Sequence, residues 1–237
     1  MRAESRAMPD AAASLRMSER WALRRLEHGD PHWPVQLALA LIIVLQLTLA
    51  DQVSVGPGWI GPAVEAVLLL ALIVVSPARA TKETPGRRAL AMGLIALVGA
   101  INLVSLALLV HYLIQGGHAQ GHALIFSGTK LLLTNVLLFA VWFWELDRGG
   151  PVARFSTPDA LPDFLFPQMD DPQFAHKGWR PGFLDYLYTS LTNANAFSPT
   201  DTMPLTHAAK AIMAIESVSS LVTIGLVLAR AVNILAS

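Results

Sequence analysis

Five apolar stretches, at residues 35–50, 59–76, 89–114, 123–144 and 206–235, constrain this chain more than any motif does. A helix needs about 20 mostly apolar residues to cross a hydrocarbon core ~30 Å thick, and these stretches bracket that length. The first is short, but Trp33 in front and Val53 and Val55 behind extend its reach. Trp33, Trp59, Trp142 and Trp144 fall at segment ends, where amphipathic rings settle into the headgroup layer. Charge agrees with this pattern: Asp, Glu, Lys and Arg make up 14% of the residues, against about 25% in a soluble domain. The expected fold is an all-α integral membrane protein with five transmembrane helices, its partner the lipid bilayer.

A net charge of zero removes the basic footprint of a nucleic-acid binder, so no nucleic acid is expected. The absence of cysteine excludes disulfide scaffolds, Cys-ligated zinc, iron–sulfur clusters and thiol catalysis. No cofactor is expected. Lys and Arg set the orientation. Arg2, Arg6, Arg16, Arg20, Arg24 and Arg25 precede the first stretch, and Arg79, Lys82, Arg87 and Arg88 follow the second, while the loops at 51–58 and 115–121 carry none. That alternation puts the N-terminus in the cytoplasm and the chain in the cell membrane, a bacterial inner membrane being the expectation. The basic segment 1–34 is too long for an ordinary signal n-region, so the first stretch reads as an uncleaved anchor. Within that segment, 11–27 is either an amphipathic surface helix or a basic tail that fixes topology.

Residues 35–114 form a three-helix membrane region, and 115–237 a second unit. Pro151, Pro158, Pro162, Pro167, Pro172 and Pro181 forbid a continuous helix across 149–182 and predict a folded-over connection, with Phe164, Phe166, Phe174 and Trp179 packing against something. Residues 183–192, FLDYLYTSLT, are amphipathic and too short to span. A turn dense in hydroxyls and amides follows, containing Pro199 and Pro204, and then a full apolar helix. A short helix, a polar turn and a span are the layout of a re-entrant loop, whose irregular backbone must be buried by protein or line a wet cavity.

Here the chain resembles the pore-loop cation channels, in particular the two-span potassium-channel module that reads roughly YFSFVTLTTVGYGDIVP before its inner helix. The family's Tyr-x-Ser falls on Tyr188, Thr189 and Ser190, its filter Asp on Asp201 and its following Pro on Pro204. Its filter-entry Thr falls on Asn193, with Thr192 adjacent; an inner-helix Glu falls on Glu216 and a terminal Ala-Arg on Ala229 and Arg230. The resemblance covers about residues 123–235. It implies an outer helix at 123–144, a pore helix and turn at 183–204 and an inner helix at 206–235. Asn193, Asn195, Ser198, Thr200, Asp201 and Thr202 would then form the pore mouth.

The departures decide the chemistry. Ala196, Phe197, Ser198, Pro199 and Thr200 replace TVGYG. Glycine permits backbone angles that residues with a Cβ reach only at a cost, and proline has a fixed φ. A potassium filter of stacked carbonyls is therefore excluded. Ser220 also stands at the inner helix's hinge-glycine position. The resemblance then implies a non-potassium-selective pathway for monovalent or divalent cations in a homo-oligomer, a tetramer if channel-like, with Asp201 as a ring of carboxylates. Four spans after a cytoplasmic N-terminus deliver the loop from the cytoplasm, as an inverted module like that of glutamate-receptor channels. The alternative is a non-conducting scaffold or sensor that keeps the pore-module fold, with Asp201 capping the last helix.

Ionisable groups inside spans are costly and face the bundle interior or water. Glu65 and Lys130 lie at matched depth in helices of the same direction, which makes them an ion-pair candidate; in the alternative Lys130 snorkels to the near interface and Glu65 meets water there. Asn102 and Asn135 read as interhelical hydrogen-bonding groups. On the last helix Glu216, Ser220, Thr223, Val227 and Arg230 recur at alternating four- and three-residue steps and share one face, lining an aqueous path or gluing helices together. His111, His118 and His122 lack further metal ligands nearby, so no metal site is expected. Asp159, Asp163, Asp170 and Asp171 lack any paired catalytic motif, so no enzyme is expected.

Overall fold

Proline marks where helices begin in this chain. Pro34, Pro85, Pro151 and Pro167 each stand in a first turn, where the missing N–H has no intrahelical acceptor to lose. The computed structural model describes residues 31–49, 57, 59–75, 85–115, 121–157, 160–171, 173, 175, 179–195 and 201–235. They form α1 (Trp33–Leu47), α2 (Ile60–Val75), α3 (Pro85–Ile114), α4 (Gly121–Leu146), α5 (Pro151–Ser156), α6 (Pro167–Asp170), α7 (Phe183–Ala194) and α8 (His207–Leu235). Phe164–Leu165 (β1) and Met203–Pro204 (β2) pair antiparallel, with Phe164 opposite Pro204. The basic segment before residue 31 and the turn at 196–200 lie outside the described residues.

The all-α expectation holds, and the membrane character with it. Three helices, over Gly86–Ile114, Leu124–Gly149 and His207–Val232, are long and apolar enough to cross a membrane, while those at Trp33–Leu47 and Ile60–Val74 are shorter. Around a buried apolar core, the surface and the interior both depart from those of a soluble protein. Leu37, Val44, Val67, Leu70, Val218 and Leu228 are exposed, whereas Gln46, Glu65, Asn102, Asn135 and Glu216 are buried. Apolar surfaces turned outward and polar groups turned inward suit a hydrocarbon solvent.

α4 is the hub. It packs against α1, α3, α7 and α8, and 61% of its apolar window is buried against 28% for α8. A Cβ on Gly128 would stand 2.4 Å from Val227 Cγ2, so α4 and α8 approach as closely as they do only because that position has no side chain. Aromatic residues concentrate at the C-terminal end of α4, where Phe139, Phe143, Trp144, Phe164, Phe166 and Tyr186 form one cluster.

At that end the chain turns a sharp corner. Arg148, Gly149 and Gly150 have φ of 54°, 80° and 105°, a left-handed run natural only to the two glycines. Arg148 is held there from outside: its N–H donates to Asp163 Oδ2 at 2.9 Å, and Arg88 Nη1 donates to the Gly149 carbonyl at 2.6 Å. The proline-rich connection then breaks into two short helices and β1, as its prolines require. Phe164 and Phe166 are buried, and Trp179 meets the Phe166 ring edge-on. Phe174 lies outside the described residues.

Candidate functional site

α7 leaves this aromatic end and descends along α4. Near its start, Tyr186 Oη donates to Asp147 Oδ2 at 2.7 Å. One turn on, Ser190 Oγ lies 2.7 Å from the Val136 carbonyl, which is about 16 Å along α4 from Asp147 at 1.5 Å per residue. The chain then returns: Thr202 Oγ1 bonds Thr189 Oγ1 at 3.1 Å, β2 pairs with β1, and Thr206 Oγ1 donates to Asp163 Oδ1 at 2.7 Å. Entry and exit thus share one end of the bundle.

α7 is inside out. Thr189 and Ser190 are buried, while Leu184, Tyr188 and Leu191 are exposed. Its polar side chains converge on Glu216 of α8, a residue with no exposed surface. Ser190 Oγ bonds Glu216 Oε1. Asn193 Nδ2 donates to Glu216 Oε2 at 2.6 Å and to the Met213 carbonyl at 2.9 Å, and Ser217 Oγ donates to Asn193 Oδ1 at 3.0 Å. Glu216 lies about 14 Å along α8 from His207, close to the depth of Val136 on α4. From there a second chain of bonds crosses the bundle. Asn135 Nδ2 reaches Ser219 Oγ and Ser220 Oγ, each at 2.9 Å, and Asn102 Nδ2 donates to Asn135 Oδ1 at 3.2 Å.

The shared face on α8 exists, and it is turned inward. Glu216, Ser220 and Thr223 are buried, Val227 meets Gly128, and Arg230 is half-buried. The stripe binds helices together; the outward face of α8 is apolar. Among the pore-mouth residues, Asn193 joins the Glu216 cluster, and the Asn195 side chain donates to the Leu191 carbonyl at 2.8 Å. Thr202 is buried, and Asp201 is exposed without a hydrogen bond to any described residue. Ser198 and Thr200 lie outside the described residues. Asp201 does not cap α8: Thr206 does, accepting from Ala209 N at 3.3 Å.

The predicted Glu65–Lys130 pair is not formed. Lys130 Nζ donates to the Thr48 carbonyl at the end of α1, where an orphan acceptor and the negative pole of the helix both favour a cation. Glu65 is fully buried beside Gln46. Depth alone was matched; the direction in which each side chain leaves its helix was not. Among the described residues no group of three or more His, Asp or Glu comes together as a metal site; His118 lies outside them.

Sequence reasoning missed Asp147, a further buried acid. Asp147 accepts from Asp163 N at 2.8 Å and from Tyr186 Oη, and Arg154 Nη1 stands 3.8 Å from Oδ2. Arg154 also donates to the Trp144 and Asp147 carbonyls and lies over the Trp144 and Tyr186 rings. Nearby, Arg87 and Glu145 form a buried pair at 3.4 Å. At the start of α7 burial pushes the Asp185 carboxyl above its usual range, opposed by the hydrogen bond it accepts from Gly182 N. The only sequence signal for this knot was the charge-dense run Glu145–Arg148 at the end of an apolar helix.

Comparison of the chain with protein-family models, with curated proteins and with solved structures finds no match.

Proposed function

We propose that the chain is a five-span membrane protein in which α7 and the segment returning to β2 form a re-entrant hairpin, and that it works as a non-conducting sensor or scaffold on a pore-module-like arrangement. One observation carries this reading. The α7 side chains Ser190 and Asn193 are spent on Glu216 of the same chain, and the polar stripe of α8 is buried against α4 and α7. A conducting pore needs such groups on a water-filled axis. The down-and-back course of α7 and its apolar outer face support a hairpin dipping into lipid. Arg87, Arg88, Arg148 and Arg154 gather at the end where the hairpin enters, which supports a cytoplasmic entry and an inverted module.

Asp201 favours a second reading. It is exposed and free of hydrogen bonds to described residues, as an element of a carboxylate ring in a homo-oligomeric cation pathway would be. Planar-bilayer recording of the purified protein separates the two. Silence in the wild type is the expected result. Any conductance overturns the sensor reading, and one altered by Asp201→Asn establishes the cation pathway.

A further inference from the structure

The hydrogens at Glu216 can be counted. Ser190 Oγ carries one hydrogen and touches two oxygens, the Val136 carbonyl at 2.7 Å and Glu216 Oε1. A carbonyl oxygen only accepts. If the serine hydrogen points to Val136, the bond to Glu216 needs its hydrogen from the carboxyl group. If it points to Glu216 instead, two acceptor oxygens face each other at 2.7 Å with nothing between them. The other carboxyl oxygen offers no escape. The Met213 carbonyl fixes the Asn193 amide with its nitrogen toward Met213 and Glu216 Oε2, since the flipped amide would set acceptor against acceptor. Both Asn193 hydrogens are then used, and its oxygen accepts from Ser217.

Among the described residues no cation compensates. The hydrogen-bond partners of Glu216 on α7 are neutral, and on α4 the neighbouring group is a carbonyl. The charged groups of the packed elements are engaged elsewhere or far away: Lys130 on Thr48, Glu145 on Arg87, Asp147 on Tyr186 and Asp185 on Gly182. His207 and Lys210 are exposed, and Arg230 and His122 each lie about 21 Å along their helices from Glu216 and Val136.

The geometry points to Glu216 as a proton-binding site: the neutral acid donates its proton to Ser190 Oγ and clamps α7 onto α8, and release of that proton to water undoes the clamp. Proton transfer leaves a carboxylate and a hydronium ion. The carboxylate then claims the serine hydrogen, Ser190 and Val136 repel, and α7 moves off α4. This deepens the sensor reading by naming its stimulus, and for its physiological meaning it rests on that reading.

Two measurements on the full chain in lipid nanodiscs test it. Because the protein has no cysteine, Ala194→Cys at the buried end of α7 gives a single reporter of hairpin release. Its labelling rate is compared with that of Ala194→Cys combined with Glu216→Gln, a side chain that keeps both hydrogen bonds and has no proton to lose. The ratio of the two rates cancels the pH dependence of the thiol. The ratio is expected near one at about pH 6 and several-fold higher at about pH 9, a window that spans the ionisation of buried carboxylic acids. A ratio staying within about twofold overturns the release step. Infrared difference spectra of wild type and Glu216→Gln need no reporter. A positive protonated-carboxyl carbonyl band is expected in the wild-type-minus-Glu216→Gln difference at about pH 6, and its absence overturns the proton site. A conducting wild type would sink the sensor reading while leaving both of these results standing.

Discussion

Asp147 and Glu216 are both buried carboxyl groups with no exposed surface, yet their surroundings differ in kind. Asp147 receives backbone N–H groups, a phenol and an arginine 3.8 Å away. Glu216 receives an amide and shares a hydroxyl, and no cation among the described residues reaches it. Asp147 sits at the end of α4 where the chain leaves the bundle, and Glu216 sits near mid-depth. A charge at the end of a helix can be answered by arginines gathered there, since they also reach toward water. At mid-depth a counter-charge would itself have to be taken out of water, at a cost of several kcal/mol per ion. Neutral donors are the less costly company for an acid at that depth.

That contrast is open to direct attack by substitution, read as unfolding free energy in mixed micelles. The largest effect is expected for Asp147→Asn, which removes the carboxylate 3.8 Å from Arg154: about 3–5 kcal/mol, the usual result of breaking a buried pair. Tyr186→Phe removes one donor from the same carboxylate and should cost about 1.5–3 kcal/mol, as for hydrogen bonds to charged groups. Glu216→Gln should cost less than about 1 kcal/mol, because shape and hydrogen bonds survive where no charge is lost. If Glu216→Gln proves as damaging as Asp147→Asn, the two sites are alike and the contrast is wrong. If Tyr186→Phe and Glu216→Gln exchange rank, the phenol contributes packing against Phe164 and Phe166 and little more.

Local spacing made part of this molecule legible. The three- and four-residue steps of Glu216, Ser220, Thr223 and Val227 define the face that meets α4, because a helix fixes azimuth from sequence alone. Proline density predicted the broken connection, and the brevity of 183–192 predicted a short helix there. What stayed hidden depends on contacts between residues far apart in the chain. Asp147 meets Tyr186, and Ser190 meets Glu216, through tertiary approach that no local period encodes. The Glu65–Lys130 expectation shows the limit sharply. Matched depth is one coordinate of three, and a long lysine stem finds the nearest orphan carbonyl, which belongs to Thr48. The same depth argument applied to Ser190, Asn193 and Glu216 would have been sound, since two of those residues already share a face of one helix.

The bond from Ser190 to Glu216 also orders events during biosynthesis. A chain emerges from the ribosome N-terminus first, so α7 is made before the helix that supplies its partners. Until α8 is made, Ser190 and Asn193 have no carboxyl group to meet, and α7 is left with unmet polar groups. α8 is therefore the helix that locks the one made before it, and a nascent polypeptide stopped short of residue 216 would leave α7 undocked.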